Sequence, residues 1–576
     1  MLQRLGASLV KSKRFPTENS TTLDSIIKGL YCNVVKEFGI DNTGKEDVTV
    51  PLQNAIDKCS TLGYRPYIPK GKYKITPSLG TELDVTLYDY GENTLMAGIV
   101  IPYELGIVTD GTDTEFCFYD LRSGTDVGVA ISVPSTEYSQ KTCVFGGFMV
   151  RAMGSTGKFG VVLPANENVW LKARPKYIFT TPIHYCGSTD EKTVLYNPPE
   201  GWEVGFQAGD LYKLDGLITG HGTYLPTMSP SGQHQMTGFS CRAKRGAFGI
   251  NVKMVMNCCF TGYFLGDEVE GFSLTDSEIW NCYRSVWIKS SKADPGGFID
   301  NVHANAVAEC YRVEGRPYLH IGNIEAYRAD SYYTDGVTPW FGLRLIKSMV
   351  DVASITAIQG SSFTTEQNCA AVHADAESNI NVVNAFVQAV YKGIEFSGAT
   401  RSSCDKMVTN AVDRCFVLSK NARFIRLGEV LPKAALPKYY FVKDDTVDTR
   451  YITAPRETGL QLGKWYEKTY STDEVTLVRP RMDASKRRVI MGVGTYSAYV
   501  DLDVVSAVDG DEVELHIITS SNNASSVTVR SGKEGSTLSV FSTPSSASTR
   551  YYAKYIYSAT ANAWREMCMQ SVDNLV

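Results

Sequence analysis

Residues 272–330 repeat themselves by pattern rather than by identity, and the repeat leaves few folds open. Leu274–Trp280, Ile299–Asn305 and Ile321–Tyr327 each begin with an apolar residue, continue with a polar pair, and then alternate inward and outward side chains. The third position is Asp276, Asn301 or Asn323, residue types that tolerate the left-handed backbone of a tight bend. Strand alternation then turns Ser277, Val302 and Ile324 inward, followed by Ile279, Ala304 and Ala326. It turns Glu278, His303 and Glu325 outward, followed by Trp280, Asn305 and Tyr327.

The register extends both ways. Upstream, Ile250–Met256 aligns so that Met256 falls on Trp280, and Met254 enters the outward column of Glu278. Downstream, Val352–Ile358 and Val382–Gln388 fit with Ser354 and Asn384 at the bend, and Ala385–Phe396 lies over Met407–Leu418. Starts at 250, 274, 299, 321, 352 and 382 are 24, 25, 22, 31 and 30 residues apart. Such a period signals a solenoid whose turns bury their faces on one another. Short strands with no ten-residue helical pattern make it a β-solenoid, and the Asp/Asn column becomes a stacked polar ladder. The competing architecture is a sandwich in which the likeness between segments is accidental.

Composition narrows the class. The chain has 576 residues, 43% of them hydrophobic, and a net charge of −5 with both signs interspersed, which gives no nucleic-acid footprint. Thirty-three tyrosines suit carbohydrate binding and suit any β-rich fold equally. The fourteen cysteines form no CxxC pair and no metal-ligand spacing, so reduced thiols are expected and no metal is. There is no GxSxG, P-loop or dinucleotide fingerprint, and no cofactor is expected. No signal-peptide core and no 18-residue apolar run appears, so no membrane association is expected.

The N-terminal third holds the most specific motif. Asp41-Asn-Thr-Gly44 leads to Pro51-Leu-Gln-Asn-Ala-Ile-Asp-Lys-Cys59, where Leu52, Ala55, Ile56 and Cys59 make one apolar helical stripe and Gly63 can end the helix. Tyr67-Ile-Pro-Lys-Gly-Lys-Tyr-Lys-Ile75 then reads as two strands in a hairpin around a Pro-Lys-Gly turn. This series of turn, helix and hairpin resembles the opening of the pectate-lyase-like superfamily; Lys45–Thr49 departs from the usual run of Asp and Thr before the helix. In that superfamily the helix caps a right-handed parallel β-helix. With the downstream repeat, the resemblance covers about residues 35–425 and is most similar to bacteriophage tailspikes, in particular the capsule depolymerases of phages that infect encapsulated enterobacteria.

The domain plan follows. Residues 1–34 are an anchor or docking segment, with Leu23, Ile26, Ile27 and Leu30 on one helical face, or else a cap on the solenoid. Residues 35–426 are an all-β parallel β-helix with short capping helices. Within it, 160–232 read as an aperiodic, Pro-, Gly- and aromatic-rich insertion that projects from the turns and walls a groove. A Pro-punctuated connector spans 427–461, and 462–576 read as an antiparallel β-sandwich of jelly-roll kind. In tailspikes such a domain serves trimerisation, carbohydrate binding, or both, and the choice stays open.

The repeat also locates candidate chemistry. Glycoside cleavage takes two carboxylates flanking the bond. Glu278 and Glu325 share a column two coils apart, about 9.6 Å between backbones, and long side chains close this to the ~6.5–9.5 Å of an inverting pair. His303 lies between them and would tune or position a carboxylate. Trp280 and Tyr327 offer faces on which sugar rings stack, with Asn305 in the same column. His320 and Asp351, outward before the bend, are further sugar contacts. Asp267, Glu268 and Glu270 read mainly as a solvated turn, and Asp300 as a backbone cap. The plain alternative is that Glu278, His303 and Glu325 form a solvated surface ladder. The polar stretch is local, however: the same column reads Met254, Thr356, Phe386 and Val408 elsewhere.

The expected protein is therefore a homotrimeric spike in a virion tail, made in the host cytoplasm. It would be attached to another tail protein through its N-terminal segment and would cleave bacterial capsular polysaccharide by endo-glycosidic hydrolysis. The rivals are a polysaccharide lyase on the same fold, with His303 or Tyr327 as base, and a non-catalytic receptor-binding spike.

Overall fold

In the computed structural model the described residues are 31–571, apart from 89, 92, 135–141, 167–169, 172, 188–199, 267, 290–295, 316–317, 361–365, 434–436, 438, 445, 449–450, 454–474, 479–485, 494–497, 503, 505–511, 520–525, 533–534 and 543–549. The expected docking segment at 1–30, Asp267 and part of the connector lie outside them. Twenty-nine strands belong to one sheet. The antiparallel pair among those described is Thr81–Leu83 with Leu95–Ile101; the others run parallel, coil upon coil, as a parallel β-helix requires. The chain divides into two compact units: residues up to His320 with Ser331–Tyr333, and Ile321–Asp330 with Thr334 onward.

In the first unit the opening motif folds as a cap. The helix is Thr49–Thr61, and Leu52, Ala55, Ile56 and Cys59 are all buried. Truncating Leu52 or Ile56 to alanine would cost about 2–5 kcal/mol. Asp41 shapes the turn before it by accepting from the amides of Thr43, Lys45 and Glu46 and from the Thr43 hydroxyl. Those bonds hold its carboxyl down at about 2. The two strands that follow are not a hairpin. Arg65–Ile68 pairs in parallel with Tyr31–Asn33 and Val108–Thr109, whereas Gly71–Ile75 pairs in parallel with Thr43–Asp47 and Thr114–Tyr119, in a different sheet. The Pro-Lys-Gly turn is a solenoid corner, and Gly71, at φ +144°, lets the Asn42 carbonyl come too close for any Cβ.

The stretch 160–232 is not a projecting insertion. Gly157–Val162, Lys176–Phe179, Ile183–Cys186, Trp202–Ala208 and Lys213–His221 are parallel strands in register with their neighbours. Four of its aromatics, Tyr177, Tyr185, Trp202 and Tyr224, are fully buried, and Trp170 and Tyr212 are half-buried. Gly205 and Gly220 flank the Tyr185 ring so closely that a Cβ would overlap it.

The central repeat holds, with register shifts between neighbouring coils. Ser277, Val302, Ile279 and Ala304 are buried as expected. Asp276 (φ 47°) and Asn301 (φ 52°) are left-handed, and Lys253 Nζ, Asp276 and Asn301 Nδ2 form the polar ladder at 2.7 and 2.9 Å. Upstream, a register shift between Val252 and Val255 pairs Asn257, not Met256, with Trp280. A one-residue slip exchanges faces. Met254 is therefore buried, and Val255 is the partner of Glu278.

In the second unit Ile324 and Ala326 are buried, but Asn323, Ser354 and Asn384 are not among the left-handed residues; Lys347, Ala389, Arg401 and Ala411 are. The expected pairing of Ser354 with Asn384 and of Ala385 with Met407 is present. Parallel pairing continues past residue 426, through Cys404 with Leu427, Phe416 with Phe441 and Ile425 with Ile452. The C-terminal part has two four-stranded sheets, one of Val475–Val478, Ala498–Leu502, Ser526–Ser531 and Ser536–Ser542, the other of Lys486–Val493, Glu512–Thr519, Arg550–Ser558 and Ala563–Ser571. They share a core that includes Val500, Val527, Phe541, Leu515, Tyr555 and Trp564. The sheets are mixed rather than antiparallel, since each contains parallel pairs. Period-two alternation buries one face in either direction and does not encode the difference.

Candidate functional site

Glu278 and Trp280 lie on the strand Phe272–Lys289, and His303 and Asn305 on Gly297–Glu314. Buried Ser277 and Ile279 bracket Glu278, so its carboxylate projects outward and is exposed. Its register partner on the next coil is His303, which is half-buried. Glu278 makes no hydrogen bond or ion pair among the described residues, and the Trp280 ring stacks on no other ring there. A free carboxylate and a free indole face thus leave one strand on the same side, two residues apart.

Asn305 stands across a bulge from Trp280. A register shift between Ile279 and Cys282 sets Trp280 and Asn281 against Asn305 alone. The Asn305 side-chain oxygen is shut off from solvent without a partner, and its backbone carbonyl accepts from the Ser285 hydroxyl at 2.8 Å. His320 is exposed, with its ring edge-on to Tyr318 at 4.4 Å. Glu309, which follows the column, is a framework residue: it is buried between Arg284 and Arg312.

The remaining candidates belong to the second unit. Glu325 is exposed and Tyr327 half-buried. Burial and the Glu325 charge both push the Tyr327 hydroxyl above its usual range, which keeps it protonated at neutral pH. Asp351 sits in a ladder of its own, accepting from Asn381 Nδ2 at 2.9 Å while Asn381 accepts from Ser403 at 3.1 Å. The same unit holds a cluster that sequence reasoning missed. His373 Nδ1 lies 2.9 Å from Glu395, and Lys392 Nζ lies 2.7 Å from the other oxygen of that carboxylate. Burial raises the Glu395 carboxyl, but His373 and Lys392 outweigh it and hold the group at about 2.

Sequence reasoning also missed what continues from Glu278 along the first unit. Strand register makes one outward row of Glu115, Met149, His184, Thr219, Val255 and Glu278. A second row, two residues along, holds Cys117, Arg151, Cys186, His221, Asn257 and Trp280. Arg151 Nε pairs with Glu115, and the two side chains are only 14% and 12% exposed. His184 Nδ1 is 2.8 Å from the Thr219 hydroxyl, and His221 Nδ1 is 2.8 Å from the Gly222 carbonyl. Burial lowers both imidazoles. For His184, Arg151 and His221 add to the effect, Glu115 opposes it, and the result is about 4. The signal lay in coil spacing: the row steps at 115, 149, 184, 219 and 255 are 34, 35, 35 and 36 residues, longer than the 22–31 of the visible repeat.

Among the described residues no group of three or more His, Cys, Asp or Glu could hold a metal ion, and no helix is long and apolar enough to cross a membrane. No family model matches the chain, and no curated protein does. Among solved structures, the A-module of the mannuronan C-5 epimerase AlgE6 from Azotobacter vinelandii is similar over 74% of this chain and 100% of that one, at 10% identity and a TM-score of 0.22. Similarity at that level carries no argument about activity, and the parallel β-helix rests on the strand register.

Proposed function

We propose that the chain is a phage tail spike that binds a bacterial capsular polysaccharide and hydrolyses it within the chain. The observation that carries the reading is the pairing on one outward strand of an uncommitted carboxylate, Glu278, with an uncommitted indole face, Trp280, beside His303 on the next coil. An aromatic face takes the C–H side of a sugar ring, and a carboxylate beside it can transfer a proton at the glycosidic bond.

Glu278 and Glu325, which share a position of the sequence repeat, are the proposed acid and base. One protonates the leaving glycosidic oxygen. The other removes a proton from the water that attacks the anomeric carbon, so each turnover consumes one water and leaves the acid deprotonated and the base protonated, and proton exchange with solvent resets the pair. His303 acts as a positioning group, and Tyr327 as a second sugar platform. Trimer formation, attachment through residues 1–34 and a binding or trimerising role for the C-terminal sandwich belong to the same proposal. A lyase that used Tyr327 as base is disfavoured, because the raised hydroxyl resists forming the tyrosinate.

Product chemistry tests this reading. Purified protein incubated with capsular polysaccharide should release new reducing ends without the ultraviolet absorbance of a conjugated double bond, and Glu325→Gln should lower the rate about 10²–10⁴-fold. Absorbing products would establish elimination instead. Unchanged polysaccharide length would leave a binding spike.

A further inference from the structure

The paired outward rows of the first unit carry a second polar site upstream of Glu278, and hydrogen-bond bookkeeping gives its character. The Thr219 hydroxyl has one proton and donates it to the Ile183 carbonyl at 3.2 Å, so toward His184 it accepts. His184 therefore carries its proton on Nδ1. The Gly222 carbonyl can only accept, so His221 also carries its proton on Nδ1. Each ring is left with an Nε2 lone pair, and neither Nε2 has a hydrogen-bond partner among the described residues. Burial keeps both imidazoles neutral at physiological pH, and the neighbouring Arg151 adds to the effect at His184. Arg151 uses Nε on Glu115 and Nη2 on the Met149 sulfur, and Nη1 keeps its donors.

We propose that His184, His221 and Arg151 form a subsite for the hydroxyl groups of a neutral stretch of polysaccharide, upstream of the cleavage point. The pattern is two acceptors and one donor, which suits hydroxyls that both give and receive protons. The Arg151–Glu115 pair cancels its own charge, and Lys72 and Lys74 continue the two rows one coil beyond Glu115 and Cys117, further from the histidines. Position supports the assignment. Trp280 is two coils from His221, roughly 10 Å, and Glu278 is three coils from His184, roughly 14 Å, at about 4.8 Å per coil. A saccharide chain lying along the rows meets both places. The inference rests on the proposed function and assigns it a second point of grip.

The test uses the full chain in a Glu278→Gln background, so that polysaccharide is not consumed, and a surface array of purified capsular polysaccharides with dextran as a second neutral polyol. The polysaccharide retained by this parent is then titrated against parent protein carrying His184→Asn with His221→Leu, and against His221→Leu alone. The double variant should bind about tenfold more weakly and the single variant about threefold, with little dependence on salt. A far-ultraviolet spectrum and melting transition matching the parent's establish that each variant is folded. Should the double variant unfold, the single variant decides by the same criterion. Parent-like affinity in a folded variant would overturn the subsite while leaving the proposed function standing. Binding that collapses with added salt would overturn the neutral-sugar assignment. Retention of no polysaccharide by the parent would remove both readings together.

Discussion

Glu278 and His184 stand in the same outward row of the first unit, yet their surroundings differ. Glu278 is exposed and makes no hydrogen bond or ion pair among the described residues. His184 is held by Thr219 beside the closed Arg151–Glu115 pair. A group that must gain and lose a proton during a reaction benefits from being uncommitted, whereas a group that recognises a fixed hydroxyl benefits from being oriented in advance. On the proposed reading the two positions differ as chemistry differs from grip.

Substitution should separate them. The largest effect on stability is expected at Arg151. Its alanine variant leaves the half-buried Glu115 carboxylate without its partner and should lose about 1–3 kcal/mol in urea unfolding, a range discounted for partial exposure. Glu278→Gln should stay within about 0.5 kcal/mol of wild type, since no contact is lost. Equal losses at both positions would erase the comparison.

Acid should act next. The unfolded chain takes up a proton at His184 near 6.5, while the folded chain takes it near 4, so His184 costs stability as pH falls through that window and costs nothing above it. Glu395 of the second unit works lower down: its carboxyl sits at about 2 when folded against 4.5 when unfolded, so its contribution is complete above 4.5 and is lost between 4.5 and about 2. Unfolding midpoints across pH should therefore show His184→Asn flattening the upper part of the fall and Glu395→Gln the lower part. A profile unchanged by His184→Asn would contradict a neutral, buried imidazole.

The smallest effect concerns Trp280. Loss of one stacking face should raise KM for capsule about three- to tenfold, measured by reducing-end release, with stability unchanged.

The fold was legible where coils are short. At 22–25 residues per turn, Asp276 and Asn301 recur close enough for the eye to align them, and the buried partners Ile279 and Ala304 follow from alternation. Upstream, the turns lengthen to 34–36 residues and their interiors fill with Tyr177, Tyr185 and Trp202, so alternation is lost and the coils resemble an insertion. That is why Arg151, His184 and His221 went unseen while Glu278 and His303 did not. The bulge between Leu274 and Glu278 shows a different limit: the coil Ile250–Asn257 lacks that extra residue, so its plain alternation puts Met254 in the core. Strand direction was equally silent, as the Pro-Lys-Gly corner and the mixed C-terminal sheets show.

The central claim is that Glu278 does chemistry at an otherwise intact surface. Size-exclusion chromatography of capsular polysaccharide after incubation with wild type and with Glu278→Gln tests it most directly, with the assembly state of both proteins measured alongside. The account predicts shortened polysaccharide with wild type and full-length polysaccharide, still bound, with the variant. Equal shortening by both proteins would contradict it.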